Sequence, residues 1–329
     1  MRAVQFAEFG KPEVLRVVDV AQPRPNADEV LIELIATGVS YVDVRTRQGA
    51  YNRAETRVGG VVLPSIPGLQ AVGRVVEVGG ADKSLLHRKV VASVKAGACA
   101  QYLLAPSSLC AVAPEDVDDD VLAAIPMQGL TAYLMMTAST RLQRGESILV
   151  HAAGSGVGSL AVQIARILGA GTIVATAASE EKRIYTRKLG ADVAIDYTAA
   201  GWTNAVLDAT GGRGVDILLE SIGGDVFEQN FECLAPFGRY IIFGSTRGLG
   251  KPVEARRLMT KSQSLTGLYL PVFHARPDLI QEGLAFLVEN VANGKLGLKI
   301  AATLPLEDAA KAQQMLEDRG VVGAIVLRP

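Results

Sequence analysis

The chain has 329 residues, 49% of them hydrophobic, with 33 basic against 34 acidic side chains for a net charge of −1. That length accommodates two domains of ~100–200 residues each, and the apolar share supplies a large core. The charge balance leaves no basic surplus to neutralise phosphates and argues against a nucleic-acid partner. Three cysteines at unrelated spacings, Cys99, Cys110 and Cys233, argue against a disulfide framework and for a reducing compartment. No stretch resembles a signal peptide or approaches the ~18 apolar residues of a membrane span. A cytoplasmic globular protein with no membrane partner is the expectation.

The first third reads as strands. "VLRVVDV" from Val14, "EVLIELIATGV" from Glu29 and "AVGRVVEVG" from Ala71 are bounded by Pro or Gly, and "KVVASV" and "AQYLLAP" carry the pattern to about Pro114. After Asp120 the character changes. "SILVHA", "GTIVATA", "ADVAIDY", "VDILLESIG" and "GRYIIFG" are each followed by a helix-length segment. This alternation predicts right-handed crossovers and a parallel sheet covered on both faces, for which near-continuous apolar strands are suited. "SQSLTGLYL" from Ser262 reads as the last strand of that sheet, with a long apolar edge open to further pairing. "PDLIQEGLAFLVENVANG" from Pro277 predicts an amphipathic helix stopped at Gly294. A short strand, a helix over 306–317 and a last strand, "GAIVLRP", finish the chain.

One stretch carries chemistry. "ILVHAAGSGVGSLAVQIARILGA" from Ile148 runs from a strand through clustered glycines into a helix, with apolar residues at Val157, Leu160, Ala161, Ile164, Ala165 and Leu168. A strand-to-helix glycine turn is the context a dinucleotide site requires. Unpaired N–H groups at a helix start suit a pyrophosphate, and small residues let the backbone approach it. Ala153, Gly154, Ser155, Gly156, Val157 and Gly158 form this loop; Gly158 would let the helix pack closely on the strand. Ala153 and Ser155 occupy the first two glycine positions of GxGxxG, so a tight packing turn is the competing reading. About 20 residues on, an NAD site places an acid to hold the ribose 2′-hydroxyl. Here "ATAASEEKR" puts Ser179 at the strand end and Lys182 and Arg183 after it, a hydroxyl and cations that suit a 2′-phosphate. The expectation is NADPH, with Glu180 and Glu181 turned to solvent.

At this point the chain resembles the medium-chain dehydrogenase/reductase superfamily, and within it the quinone oxidoreductase (zeta-crystallin-like) family. The resemblance rests on "FGKPEVLRV" from Phe9, "GVSYVDVRTRQGAY" from Gly38, "IPGLQAVGRVVEVG" from Ile66, "GLTAYL" from Gly129, "HAAGSGVG" from His151 and "VVGAIVLRP" from Val321, in this order and spacing. It implies a two-domain α/β protein. A GroES-like β-barrel catalytic domain would span residues 1–122 and 271–329, and a Rossmann doubly wound parallel-sheet cofactor domain 123–270. It also implies a homodimer, paired through the edge strand.

Zinc-dependent alcohol dehydrogenases of this superfamily supply a Cys after the third strand and a Gly-His-Glu motif. This sequence has Ser40 in the first place and Gly68-Leu69-Gln70 in the second, and it lacks the four closely spaced cysteines of the structural zinc lobe. The expectation is a reductase without metal that passes a hydride to a quinone or α,β-unsaturated carbonyl. By the resemblance, Ser40, Tyr41, Asp43, Arg45, Tyr51, Gln128 and Thr131 line the substrate cleft, with Ser40, Tyr51 and Thr131 as catalytic candidates. Tyr197, Phe243, Gly244, Leu268 and Tyr269 join the cofactor-binding set. Many relatives carry Asn at the place of Ser40 and Tyr at the place of Arg45. The latter change removes a candidate proton donor and inserts a cation, which leaves the substrate class open. Two alternatives stand beside this reading: a trans-acting enoyl-thioester reductase of lipid or polyketide assembly, and a non-catalytic NADPH-binding protein of the crystallin kind.

Overall fold

The computed structural model describes residues 1–52, 60–80, 83–318 and 320–329. The chain divides into two compact units, Met1–Leu130 with Pro271–Pro329, and Thr131–Leu270.

In the first unit, β1 (Arg2–Gln5) and β2 (Arg16–Asp19) pair antiparallel as a small separate sheet. β3 (Glu29–Val39) leads into α1 (Tyr41–Arg47), followed by β4 (Gln70–Val78), β5 (Lys89–Ser93), β6 (Tyr102–Pro106) and β7 (Cys110–Val112). α2 (Asp119–Ala124) and α3 (Pro126–Leu134) close this segment, and the division between units falls inside α3. The eleven residues of β3 are almost continuously buried because both of its edges are used. β4 runs along one edge and β6 along residues 29–33 of the other. Val30, Ile32, Leu34, Val75, Val90 and Leu103 meet in the core this creates; side chains of that size contribute roughly 1.5–3 kcal/mol each on full burial.

The second unit alternates strictly. β8 (Ile148–Val150), α4 (Gly156–Ile167), β9 (Ile173–Thr176), α5 (Glu180–Lys188), β10 (Val193–Ile195), α6 (Trp202–Ala209), β11 (Val215–Glu220), α7 (Asp225–Gln229), β12 (Leu234–Ile242), α8 (Ala255–Met259) and β13 (Ser264–Gly267) follow one another, and α9 (Leu270–Phe273) crosses the boundary back to the first unit. All five strand pairings are parallel, in the order β10-β9-β8-β11-β12-β13. Numbered within the sheet this is 3-2-1-4-5-6. The order reverses between β8 and β11, so the sheet has its ligand crevice outside the carboxyl ends of those two strands. Leu160–Ala165 of α4 are wholly buried, as its apolar stripe predicts. The edge strand differs from expectation. β13 covers only four residues, of which Ser264, Thr266 and Gly267 are exposed, while Leu268 and Leu270 turn inward. The long apolar edge is therefore a short, mostly polar one.

The chain then returns to the first unit through α10 (Pro277–Ala292), β14 (Ile300–Pro305), α11 (Ala309–Glu317) and β15 (Ala324–Arg328). α10 ends before Gly294, whose φ of 67° suits a residue without a Cβ. β15 pairs antiparallel with residues 37–39 of β3, completing a seven-stranded sheet. No helix among the described residues is long and apolar enough to cross a membrane.

Candidate functional site

The glycine loop sits at the crevice. Ser155 caps α4, its Oγ accepting from the Gly158 N–H at 3.2 Å, and Gly156 is the first helical residue. The amides of Gly156 and Val157 precede any carbonyl the helix could offer them, so they face the sheet's carboxyl end unpaired within the helix. Gly158 is required by contact: a Cβ there would lie 2.4 Å from the Ala152 carbonyl oxygen and 2.7 Å from Ala153 Cα. Ala153 at the loop floor is buried and donates its N–H to the Thr176 carbonyl at 3.0 Å.

The tip of β9 folds against this loop. Ser179 caps α5, accepting from the Lys182 N–H at 3.3 Å. The Lys182 stem crosses the face of Gly154, where an added Cβ would lie 2.8 Å from Lys182 Cβ and 2.9 Å from Cγ. The two halves of the expected cofactor set are thus in contact. Arg183 is committed elsewhere, donating to Glu180, to Asp196 and to the carbonyls of Ala177 and Ala178. Glu180 is held by Arg183 and Arg187, which lower its pKa from the ordinary value. That carboxylate therefore leans along its own helix. Tyr197 carries the Arg247 guanidinium over its ring at 5.2 Å. Arg247 follows β12, and no sequence motif pointed to it.

Phe243, Gly244, Leu268 and Tyr269 lie where β12 and β13 end. The Phe243 N–H donates to the Glu220 carbonyl, and the Leu268 N–H to the Ile242 carbonyl, both at 2.9 Å. A Cβ on Gly244 would lie 3.2 Å from Ser221 Cβ, which packs this turn on the one after β11. Burial raises the Tyr269 pKa.

In the first unit, Ser40 and Asp43 form a capping box at the start of α1. Asp43 Oδ2 accepts from the Ser40 N–H and Oγ, each at 2.8 Å, and Oδ1 accepts from the Gly68 N–H at 2.9 Å. Burial raises the Asp43 pKa above the usual carboxylate value, against these hydrogen bonds. Gly68 has φ 99°, and a Cβ would lie 2.6 Å from the Cys99 nitrogen. Gln70 is buried, its Oε1 accepting from the Met127 N–H at 2.9 Å and its Nε2 reaching the Gly38 carbonyl at 3.5 Å. The positions that would supply zinc ligands therefore hold a hydroxyl and an amide already bonded within the unit, and Leu69 offers no donor; the set does not fit zinc. Tyr41 and Arg45 are half-exposed on α1, with Arg45 reaching Gln48 at 3.3 Å. Tyr51 is half-buried beyond that helix. Gln128 is buried on α3, its Oε1 without a hydrogen-bond partner, and Thr131, on the same helix, is buried in the second unit.

The sequence passed over two buried groups. Arg47, three positions before Ala50, is fully buried and donates to Glu317, to Gln313 Oε1 at 2.7 Å and to the Gly10 carbonyl, joining α1 to α11. His151, directly before the glycine loop, is fully buried among polar partners.

A doubly wound parallel unit with a glycine-rich turn at its switch point, in one chain with a second unit whose sheet is mostly antiparallel, is the architecture of a medium-chain dehydrogenase/reductase. The Alcohol dehydrogenase GroES-like domain family matches residues 26–144, and the Zinc-binding dehydrogenase family matches residues 156–288. The human quinone oxidoreductase is 33% identical over 332 residues, covering 99% of this chain and 97% of that protein. A 2-haloacrylate reductase from Burkholderia sp is 32% identical over 328 residues, covering 97% and 96%. Among solved structures, Escherichia coli quinone oxidoreductase complexed with NADPH superposes with a TM-score of 0.91 at 28% identity, covering 100% of both chains. The chain belongs to the quinone oxidoreductase family of the medium-chain dehydrogenases/reductases, with a GroES-like unit and a Rossmann unit.

Proposed function

We propose that this protein is an NADPH-dependent reductase of quinones or α,β-unsaturated carbonyls that works without zinc. The observation that carries the reading is the contact between Gly154 and the Lys182 stem at the switch point, with Ser179 capping the helix that follows. The unpaired amides at the start of α4 suit the pyrophosphate, and a cation beside a hydroxyl, with no acid at the tip of β9, suits a 2′-phosphate. When bound, the nicotinamide supplies a hydride.

The chain's own residues bind and orient. Ala153–Gly158 would hold the diphosphate, Ser179 and Lys182 the 2′-phosphate, and Tyr197 the adenosine end. Phe243, Gly244, Leu268 and Tyr269 would flank the nicotinamide. Ser40 and Asp43 keep α1 in place, so that Tyr41, Arg45 and Tyr51 present their polar ends toward substrate. Tyr51 is the proton donor in this scheme, with Gln128 and Thr131 holding the substrate carbonyl. A quinone or conjugated carbonyl accepts hydride without a Lewis acid, which agrees with a ligand set unfit for zinc. The NADPH complex of the E. coli relative and the haloacrylate substrate named for the Burkholderia relative support a conjugated acceptor.

The test is NADPH oxidation with a panel of ortho- and para-quinones, enones, haloacrylates and enoyl thioesters. Turnover of quinones or enones is the expected result. Turnover confined to enoyl thioesters would move the protein to lipid or polyketide assembly, and NADPH binding with no turnover on any acceptor would refute the enzymatic reading.

A further inference from the structure

Three strands of the cofactor unit converge on one imidazole. His151 follows β8, and its Nδ1 lies 2.7 Å from Oγ1 of Thr176, the last residue of β9. Its Nε2 lies 2.6 Å from Asn230 Oδ1. Asn230 is buried and turns its Nδ2 to Glu220 Oε2 and, at 2.9 Å, to Tyr240 Oη. The Tyr240 hydroxyl donates onward to the Phe227 carbonyl at 3.3 Å. Glu220, the last residue of β11, is fully buried, and its Oε1 accepts from the N–H groups of Ile222 and Gly223. Facing the ring from the elements around it are Glu220 at 3.6 Å, the Tyr197 and Trp202 rings edge-on, and Tyr240 beyond Asn230.

The hydrogen bonds give this chain a direction. Glu220 accepts from the Ile222 and Gly223 N–H groups on Oε1 and faces Asn230 with Oε2, so Asn230 gives its amide nitrogen to Glu220 and keeps its oxygen for His151. That oxygen has no hydrogen, so the ring must carry one on Nε2. Burial lowers the imidazole pKa from its ordinary value, against Glu220 and Asn230, which raise it; the neutral ring with its proton on Nε2 keeps a lone pair on Nδ1. The Thr176 hydroxyl therefore donates to Nδ1, and every polar group of the chain is paired in one direction.

We propose that His151, fixed as its Nε2–H tautomer by Glu220 through Asn230, is a positioning residue that locks loops 151–155, 177–179 and 221–224 into one cofactor seat. The proposal rests on the cofactor reading above. β8 and β11 are neighbours in the sheet and flank the switch point, from which the connections leave in opposite directions along the sheet. The relay spans that gap from Thr176 to Gly223. Both strand ends are also tied by backbone bonds, from Ala153 N–H to the Thr176 carbonyl and from His151 N–H to the Leu219 carbonyl. Turn 221–224 in turn holds the segment after β12, since the Ser221 and Ile222 carbonyls accept from the Thr246 and Arg247 N–H groups.

The experiment begins on cofactor-free protein with 15N-labelled histidine, which gives three ring systems to assign. His151→Gln identifies the His151 signals by their loss. The expected spectrum has a pyrrole-type Nε2 and a pyridine-type Nδ1; the opposite tautomer overturns the proposal. In Glu220→Gln the new amide nitrogen faces Asn230, which must reverse and move the ring proton to Nδ1. An unreversed tautomer in that folded variant refutes control by Glu220. The positioning role is read from NADPH titration. His151→Phe should weaken binding about tenfold or more, while His151→Gln, which restores a donor and an acceptor, should stay within about threefold of the parent. His151→Phe that binds as tightly as the parent overturns it. If His151→Phe does not fold, Thr176→Val, which cuts only the Nδ1 link, is judged on the same titration. A parent protein that shows the expected tautomer but binds no NADPH refutes the cofactor reading and, with it, the positioning role, while the tautomer assignment stands on its own spectrum.

Discussion

Truncating Lys182 to alanine tests which dinucleotide the seat accepts. The stem of Lys182 lies across Gly154, and its backbone N–H is fixed by Ser179 Oγ at 3.3 Å. Lys182→Ala keeps the Cβ and that capping bond and removes the ammonium and the rest of the stem. A charge-assisted contact to phosphate contributes about 1.5–3 kcal/mol. Lys182 is half-exposed, and screening by solvent places it at the lower end of that range. The Kd for NADPH should therefore rise about tenfold, at about 1.4 kcal/mol per decade. NADH has no 2′-phosphate to lose, and its Kd should move by less than about twofold. The cap remains, so the melting temperature of the cofactor-free variant should stay within about 2 °C of the parent. Isothermal titration with both cofactors, beside thermal melts, gives all three numbers. Equal weakening for NADPH and NADH would refute the 2′-phosphate assignment.

Gly158→Ala forces a Cβ against the Ala152 carbonyl, a backbone atom that cannot step aside, and overpacking of this kind costs about 1–3 kcal/mol; the cofactor-free protein should melt about 3–10 °C lower, and an unchanged melt would contradict the packing described. Burial pushes the His274 pKa down to about 4, with Lys95 adding to the shift. The unfolded chain takes up that proton near pH 6.5 and the folded one only near 4, so His274 weakens the fold progressively as pH falls across that window and has no effect above it. His274→Gln should flatten part of the acid-side loss seen in melts between pH 7 and 4, and a parallel curve would exclude the assignment. Protein purified without added metal should contain no stoichiometric zinc by elemental analysis and keep its turnover after chelator treatment; zinc tied to activity would overturn the reading of Ser40, Leu69 and Gln70. Light scattering should return twice the chain mass of 34.6 kDa, with β13 as the paired edge, and a monomer at micromolar concentration would refute that pairing.

The parallel unit was legible because its signals are local. Apolar strands, helix-length spacers and a glycine turn recur in register, and Ser155, Gly156 and Gly158 stand in the structure where the strand-to-helix turn predicts them. Ser179 stands after the second strand, where the sequence places it, and the structure adds that it caps α5. What stayed hidden depends on contacts distant in sequence. Arg45 and Arg47 are alike in type and lie on the same helix, yet Arg47 is the arginine whose burial joins α1 to α11, through a glutamate 270 positions away. His151 reads as one polar residue in an apolar run, and nothing local shows that Thr176, Asn230 and Glu220 meet it. The capping box of Ser40 and Asp43 is a local signal carried by its S-x-x-D spacing. The shortness of β13 is hard to read because the apolar residues of "SQSLTGLYL" gather at its end, where the inward-turning Leu268 and Leu270 lie beyond the strand.

The return of the chain to its first unit sets an order of events during synthesis. Thr131–Leu270 is one uninterrupted segment with all six of its strands, whereas the other unit lacks β15 until residues 324–328 are made. On a ribosome adding ~5–20 residues per second, the parallel unit can close while residues 37–39 of β3 still wait with an unpaired edge. The newborn chain then resembles a finished bead strung between two halves of an unfinished one, and the waiting edge is where a wrong strand from a neighbouring chain could enter. Nascent chains stalled once Leu270 has cleared the exit tunnel should resist protease within 131–270 and be cut before it; uniform cleavage would show that the two units close together.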